Sequence, residues 1–395
     1  MANNKDESKK NNNISYAYKD KIRSHRLGIF YRGLLVVVLI VVVVAASIIQ
    51  YQNRTFSQAA IIATTSIPEK ANANKLRFGD NIVTYSQDGI ECIDKKGNAL
   101  WNETFEMQNP IISVSDGAVA IGDYNGTSIY VENTAGSLGT INTNLPIRDL
   151  KVCDSGIVAA VLDDMDVTWI DLFDSAGNTI VEAKTSMNNS GYPISVSISP
   201  NGQLFMVSYV YVDSGEIKSS VAFYNFGEVG QNEVDRYVSG YDYIDSIVPL
   251  VEFMGNGKAF ALADDRLMFY SGAQKPTSSA EVLLDREVLS AYHNSDYVGL
   301  VFTNIEGEED YSLEVYNTNG QKVLTLPFDM DYREILFYED EIIIYNDIDC
   351  LIYTMDGSVR YSGAFIRAVQ LLVPTAKDQL TVVTSDSVDL LELKA

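Results

Sequence analysis

Carboxylates are the one reactive side chain that this sequence offers in quantity: 53 Asp and Glu stand against 29 Lys and Arg, two histidines and three cysteines. Beyond residue 50 there is a single histidine, His293, in the stretch YHNSDY. A Ser-His-Asp or Cys-His relay would have to run through it, and a zinc site built on several histidines is excluded by count. The expected place for His293 is a solvated turn. Cys92, Cys153 and Cys350 are far apart and lack CxxC spacing, so they are read as small buried hydrophobes and not as ligands. No Walker loop and no GxGxxG before a helix is present, and a net charge of −24 repels phosphate backbones. Catalysis, a bound organic cofactor and nucleic-acid binding are therefore not expected.

The carboxylates fall where turns should be. Asp88, Asp123, Asp163, Asp164, Asp166, Asp213, Glu216, Asp264, Asp265, Glu306, Glu308, Glu309, Asp310, Asp347, Asp349 and Asp386 sit in or beside short polar connections. Asp is a good turn former on a solvated surface; gathered on one side, the same residues would attract cations or a basic protein surface. Asp163, Asp164 and Asp166, in DDMD, are the best candidate oxygen ligands for calcium, although they do not follow an EF-hand loop. Four arginines recur at the start of strand-like runs: Arg148, Arg286, Arg333 and Arg367. Their forks would either neutralise neighbouring aspartates or form a pocket for an anionic ligand or a peptide C-terminus. Tyr237, Tyr241 and Tyr243 form an aromatic run, read as an exposed connection suited to a partner contact.

The elements that must position these residues are short strands. From about residue 75 the pattern repeats with a period of roughly 35 to 50 residues, the range of propellers and related arrays. KLRFGD, NIVTYS, GIECID and NALWNE read as four strands of a first unit, and further units open near Ile111, Ile147, Pro193, Ile244, Arg286, Arg333 and Arg367. Breakers such as Asp116-Gly117 and Asn256-Gly257 separate the first and second strands, and Lys96-Gly97, Asn319-Gly320 and Asp356-Gly357 the third and fourth. The last unit has three strands, and the residues around Ile61 to Ile67 would supply its fourth. The fold class expected is all-β, an eight-bladed propeller with seven blades as the alternative.

Within GIECIDKKGNALW, Gly89, Asp94, Gly97 and Trp101 resemble the repeat of quinoprotein-like (PQQ-like) propellers, which include BamB-type assembly proteins. The resemblance implies that Trp101 packs between adjacent blades, with Thr140, Val181, Leu324 and Tyr361 at the same place in later units. The whole layout also resembles an uncharacterised family of membrane-anchored propellers from clostridial-type bacteria. The enzyme branch of the quinoprotein family holds PQQ with adjacent cysteines, a tryptophan floor and calcium. The three separated cysteines and two tryptophans of this chain do not match that pattern.

Residues 1–33 carry eight Lys and Arg against three acidic residues, and are followed by the seventeen uncharged residues Gly33 to Ile49. That run is near the lower limit for spanning a bilayer, and the basic flank would keep the N-terminus cytoplasmic. A cleaved signal peptide is the rival reading, with Ala45, Ala46 and Ser47 as the peptidase site. The expected organisation is a disordered basic tail (1–27), a transmembrane helix (28–50, membrane contact through 34–49), a stalk or closing strand (51–70) and an extracytoplasmic propeller (71–395). Its work would be to hold an envelope protein or basic surface.

Overall fold

The structure, a computed structural model, describes residues 32–44, 54–165, 167–185, 191–305 and 307–394. Residues 32–44 are helical, and among the described residues no helix is long and apolar enough to cross a membrane. The remainder of the span predicted over 28–50, and the tail before it, lie outside the described residues. Phe56–Ala395 form one compact unit, which takes in much of the segment expected to be a stalk.

This unit is built from eight four-stranded antiparallel sheets. In seven of them the strands follow chain order and are named A to D. In the eighth, β30 (Leu371–Ala376), β31 (Gln379–Val383) and β32 (Ser387–Lys394) serve as A, B and C, and β1 (Gln58–Ser66) supplies D. Strand β1 runs antiparallel to β32 from Gln58 opposite Lys394 to Ser66 opposite Ser387, so the two ends of the unit are joined in one sheet. A strands of neighbouring blades touch one another, as do β14 (Tyr192–Ile198) and β18 (Leu250–Gly255), which makes them the inner ring of an eight-bladed propeller.

Burial explains the composition of each strand. B strands such as β7 (Ala118–Asp123, AVAIGD) and β27 (Glu341–Tyr345, EIIIY) are buried almost throughout, because both faces of a blade are covered by neighbours. D strands such as β5 (Ala99–Thr104) alternate exposed and half-buried residues, as the outer rim requires. The core is accordingly not one mass but eight seams. Phe78, Cys92 and Val83 of blade 1 pack with Val119 and Ile121 of blade 2, and Ile82 and Ile93 pack with Leu371 and Val383 of blade 8. Trp101 packs into the first of these seams, and Val181, Leu324 and Tyr361 occupy the corresponding seams of blades 3/4, 6/7 and 7/8.

The antiparallel order sends A–B and C–D turns to one end of the wheel, and B–C turns with D-to-next-A connections to the other. The hydrogen bonds agree: Asp154 N–H of an A–B turn donates to Pro200 O of the next at 3.0 Å, while Asp264 N–H of a B–C turn donates to Ile247 O of a D-to-A connection at 3.1 Å. The two ends are called the AB face and the BC face.

Candidate functional site

On the AB face the turns are built to a template. Asp94 accepts N–H bonds from Lys96 and Asn98 at 2.8 Å through one carboxyl oxygen, and the Asn98 amide at 2.8 Å through the other. Asp174 does the same with Ala176 and Asn178, and the Asn178 bonds hold its carboxyl below the usual carboxylate range. Gly97 takes φ +83°, and a Cβ there would meet Thr65 of β1 at 2.9 Å, so this turn is fitted against the closing strand. Gly89 has a different constraint: a Cβ would lie 2.5 Å from the Glu103 carbonyl oxygen.

Inside this face opens the central channel, a cavity of about 800 Å³ lined by A strands and A–B turns. Lys151 Nζ bonds Glu252 Oε1 at 2.7 Å across the intervening blade, and Ser197 Oγ donates to Glu252 Oε2 at 2.8 Å. Burial pulls the Lys151 ammonium down, but the Glu252 charge and hydrogen bond outweigh it and its pKa is raised. Burial pushes the Asp149 carboxyl up, against the opposing pull of Lys151. His293 is not in a turn. It ends β22 (Ser290–His293), where its ring meets Phe260 edge-on at 5.2 Å and the residue lines the channel. Enclosure by the surrounding strands lowers its pKa, against the opposing pull of Glu252. Ser197 Oγ is already engaged as donor to Glu252 and acceptor from Phe253 N–H at 3.0 Å, an arrangement that ties blades together. Asp149, Lys151 and Glu252 went unnoticed in the sequence, where the one available signal was a polar residue recurring in A strands.

The arginines and the acidic turns meet on the BC face. Arg148 Nε donates to Asp163 Oδ2 at 2.8 Å, Nη1 reaches Tyr124 Oη at 3.0 Å and Asn125, and the guanidinium stacks on Tyr124 at 5.2 Å. Arg286 pairs with Glu314 and lies over Phe302 at 4.4 Å. Arg333 bonds Asp347 at 2.7 Å, and Arg367 approaches Asp386 and Asp389 at 3.9 and 3.8 Å. Each guanidinium is thus turned onto carboxylates of its own blade. That is the arrangement of the neutralising alternative.

The residues of the calcium expectation are only partly described. Asp163 is held by Arg148, Asp166 lies outside the described residues, and among the described residues no group of three or more His, Cys, Asp or Glu is arranged to hold a metal ion. The tyrosine run is also not an exposed connection. It belongs to β17 (Tyr237–Ile244), the D strand of blade 4. Tyr243 is buried with its hydroxyl 2.6 Å from that of Tyr270, and Tyr241 Oη accepts the Ser278 N–H at 2.9 Å. Alternation along the strand turns these rings into the seam with blade 5, leaving only Tyr237 exposed.

What remains open on the BC face is a mixture that charge alone did not reveal. Tyr124, Met165, Ile247, Leu289, Ile305, Ile348 and Ile366 are exposed in its connections, and Val212, Ile217, Ile244 and Leu283 at the strand ends beside them. Among the connections of the AB face, Val234 of the blade 4 insertion is the one large exposed apolar residue described, with Leu100, Ile180, Tyr237, Val323 and Val359 exposed at the strand starts beside them. Some BC aspartates serve the loops: Asp123 accepts the Asn109 N–H at 2.7 Å, and Asp264 accepts Ser246 Oγ at 2.8 Å. Others, such as Asp164 and Glu309, stand in the connections beside exposed Met165 and Ile305.

The fold and this site define a closed eight-bladed β-propeller with one acidic, apolar-studded face. The chain belongs to the DUF5711 family, a family of unknown function, whose profile matches residues 52–393. No curated protein sequence matches it. Among solved structures it is similar to the Dos1 propeller (TM-score 0.54, 10% identity, covering 85% of this chain and 95% of that one). It is also similar to apo AztD from Citrobacter koseri (0.52, 10%, 78% and 89%) and to BamB from Moraxella catarrhalis (0.47, 12%, 85% and 100%). At such identities the likeness concerns the fold.

Proposed function

We propose that this chain is a membrane-anchored, extracytoplasmic propeller that acts as a non-catalytic protein-binding or scaffold module of the bacterial cell envelope. The observation that carries the binding role is the difference between the faces. Carboxylates and exposed aliphatic side chains share the BC connections, whereas among the described AB connections Val234 is the one large exposed apolar residue. Mixed charged and apolar surface on rigid strand ends is what a protein partner can use, since apolar area supplies affinity and charge supplies steering. The uncharged run Gly33–Ile49 with its basic flank supports the anchor and its orientation. An anchor would hold the binding face at the membrane surface and raise its local concentration near other envelope proteins.

The test is photo-crosslinking in intact cells with a crosslinking residue at Ile348 on the BC face or at Asn256 on the AB face. A defined protein adduct from Ile348 and none from Asn256 is expected. Adducts from Asn256 alone would move the binding role to the channel mouth, and none from either would end the scaffold reading.

A further inference from the structure

We propose that the central channel binds a small linear polyamine, with Asp149 as the counter-ion of one ammonium group inside the channel and the carboxylates of its AB mouth as counter-ions of the others. The ligand class follows from which polar groups of the cavity are already engaged. Glu252 uses both carboxyl oxygens, one for Lys151 at 2.7 Å and one for Ser197 at 2.8 Å. Ser113 Oγ accepts the Val152 N–H at 3.1 Å. Asp149 stands two residues before Lys151 on the same side of β10 (Ile147–Val152), yet the Lys151 ammonium is drawn to Glu252, two blades away. One Asp149 oxygen accepts the adjacent Leu150 N–H at 2.8 Å, and among the described residues no ion pair or further hydrogen bond reaches this carboxyl. That leaves a half-buried carboxyl inside the cavity without a cation, where burial already pushes its pKa up.

The mouth repeats this imbalance. Asp116, Asp154 and Glu339 line the same cavity from the A–B turns of blades 2, 3 and 7, and all three are exposed. Apart from Lys151, Arg77 is the one cation among the described lining residues, and its Nε is turned onto the Gly79 carbonyl at 3.0 Å. Along the chain Asp154 lies five residues beyond Asp149, a rise of at most about 16 Å in extended backbone. The carboxylates thus sit at different depths and on different blades of one cavity of about 800 Å³.

Groups so dispersed do not converge on a point, and among the described residues no group of three or more His, Cys, Asp or Glu is arranged to hold a metal ion. They suit a flexible chain that carries several ammonium groups, each giving charge-assisted hydrogen bonds to a different carboxyl. An amino acid or another zwitterion would bring its own carboxylate among these residues, where Lys151 is held by Glu252 and Arg77 by a backbone carbonyl. A plain anion would be repelled by the same field.

The test uses the full chain in an uncharged detergent, titrated by calorimetry with spermidine, butylamine, γ-aminobutyrate or magnesium ion at constant ionic strength. Saturable binding of spermidine is expected, about ten-fold or more tightly than butylamine, with γ-aminobutyrate weaker still. Asp149→Asn keeps the side-chain shape, removes the charge inside the channel and should weaken spermidine about ten-fold. Its melting midpoint should be unchanged or higher, because the carboxyl has no cation to lose. If Asp149→Asn does not fold, Asp154→Asn/Glu339→Gln at the exposed mouth should weaken spermidine while leaving butylamine unchanged. The proposal is overturned by the absence of saturable binding, by equal affinity for butylamine, by tighter binding of γ-aminobutyrate, by displacement of spermidine with magnesium, or by variants that bind as the wild type does. The Ile348 crosslink reports the opposite face, so the failure of either reading leaves the other intact.

Discussion

The two ends of the wheel solve different problems with the same strands. At the AB end, most turns are short and templated by Asp and Gly, the blade 4 insertion before Tyr237 being the exception, and two A–B turns bond the next blade, Asp154 to Pro200 and Asn201 to Asn256. The strands next to these turns even bury charge. Glu341 and Arg360 pair at 2.8 Å with each side chain 3% exposed, and Glu132 is 1% exposed. At the BC end, connections vary in length, leave aliphatic residues in water and pair charges only partly. The contrast teaches that turns repeating one Asp-Gly template leave few large apolar side chains in water, whereas the more varied connections of the other end leave several.

Substitutions can break or sharpen that contrast. The largest effect is expected from Arg360→Ala, which leaves Glu341 buried without its cation and should cost about 3–5 kcal/mol in denaturant unfolding. A double change to Glu341→Leu/Arg360→Met should recover much of the loss. A recovery that fails would mean the pair has a role beyond charge balance.

Next is Glu132→Gln. Burial, with Glu103 nearby, pushes the Glu132 carboxyl up to about 7, against about 4.3 unfolded. The folded chain therefore keeps the proton between these values. The stability so gained is fully present below about pH 4.3 and is lost as pH rises toward 7. Glu132→Gln should stabilise by about 2 kcal/mol at pH 8 and by little at pH 4. Equal effects at both pH values would show that the carboxyl is not buried as described.

Asp94→Ala removes three hydrogen bonds of one AB turn and should lower the melting midpoint by about 2 °C. Asp164→Ala, at the other end, should leave the midpoint unchanged. The smallest effect is expected from Val212→Ser/Ile217→Ser, within about 0.5 kcal/mol, because these side chains already face water. A large loss there would mean that these strand ends support the wheel, and the division between the two ends would fail.

Much of this architecture was legible in the sequence, and for a definite reason. Turn dihedrals demand Gly, Asn or Asp, so Gly97 and Asp94 punctuate the chain visibly, and strands buried on both faces must read as apolar runs such as EIIIY. The segment near Ile61 was legible as a missing strand by counting. The site was less so. Alternating tyrosines look alike whether they face a partner or the next blade, and only the seam with blade 5 decides that Tyr243 is buried. Arginines at strand starts look available until Asp163 and Asp347 fold beside them.

By itself, then, the sequence determined the all-β repeat and the turns that shape it, because hydrophobic period and turn chemistry are local properties of a few adjacent residues. It also determined the excess of carboxylates. The tertiary structure decided which carboxylates meet cations and which polar residues share the channel. Those are relations between residues far apart in the chain, and they come into being when the blades close into a ring.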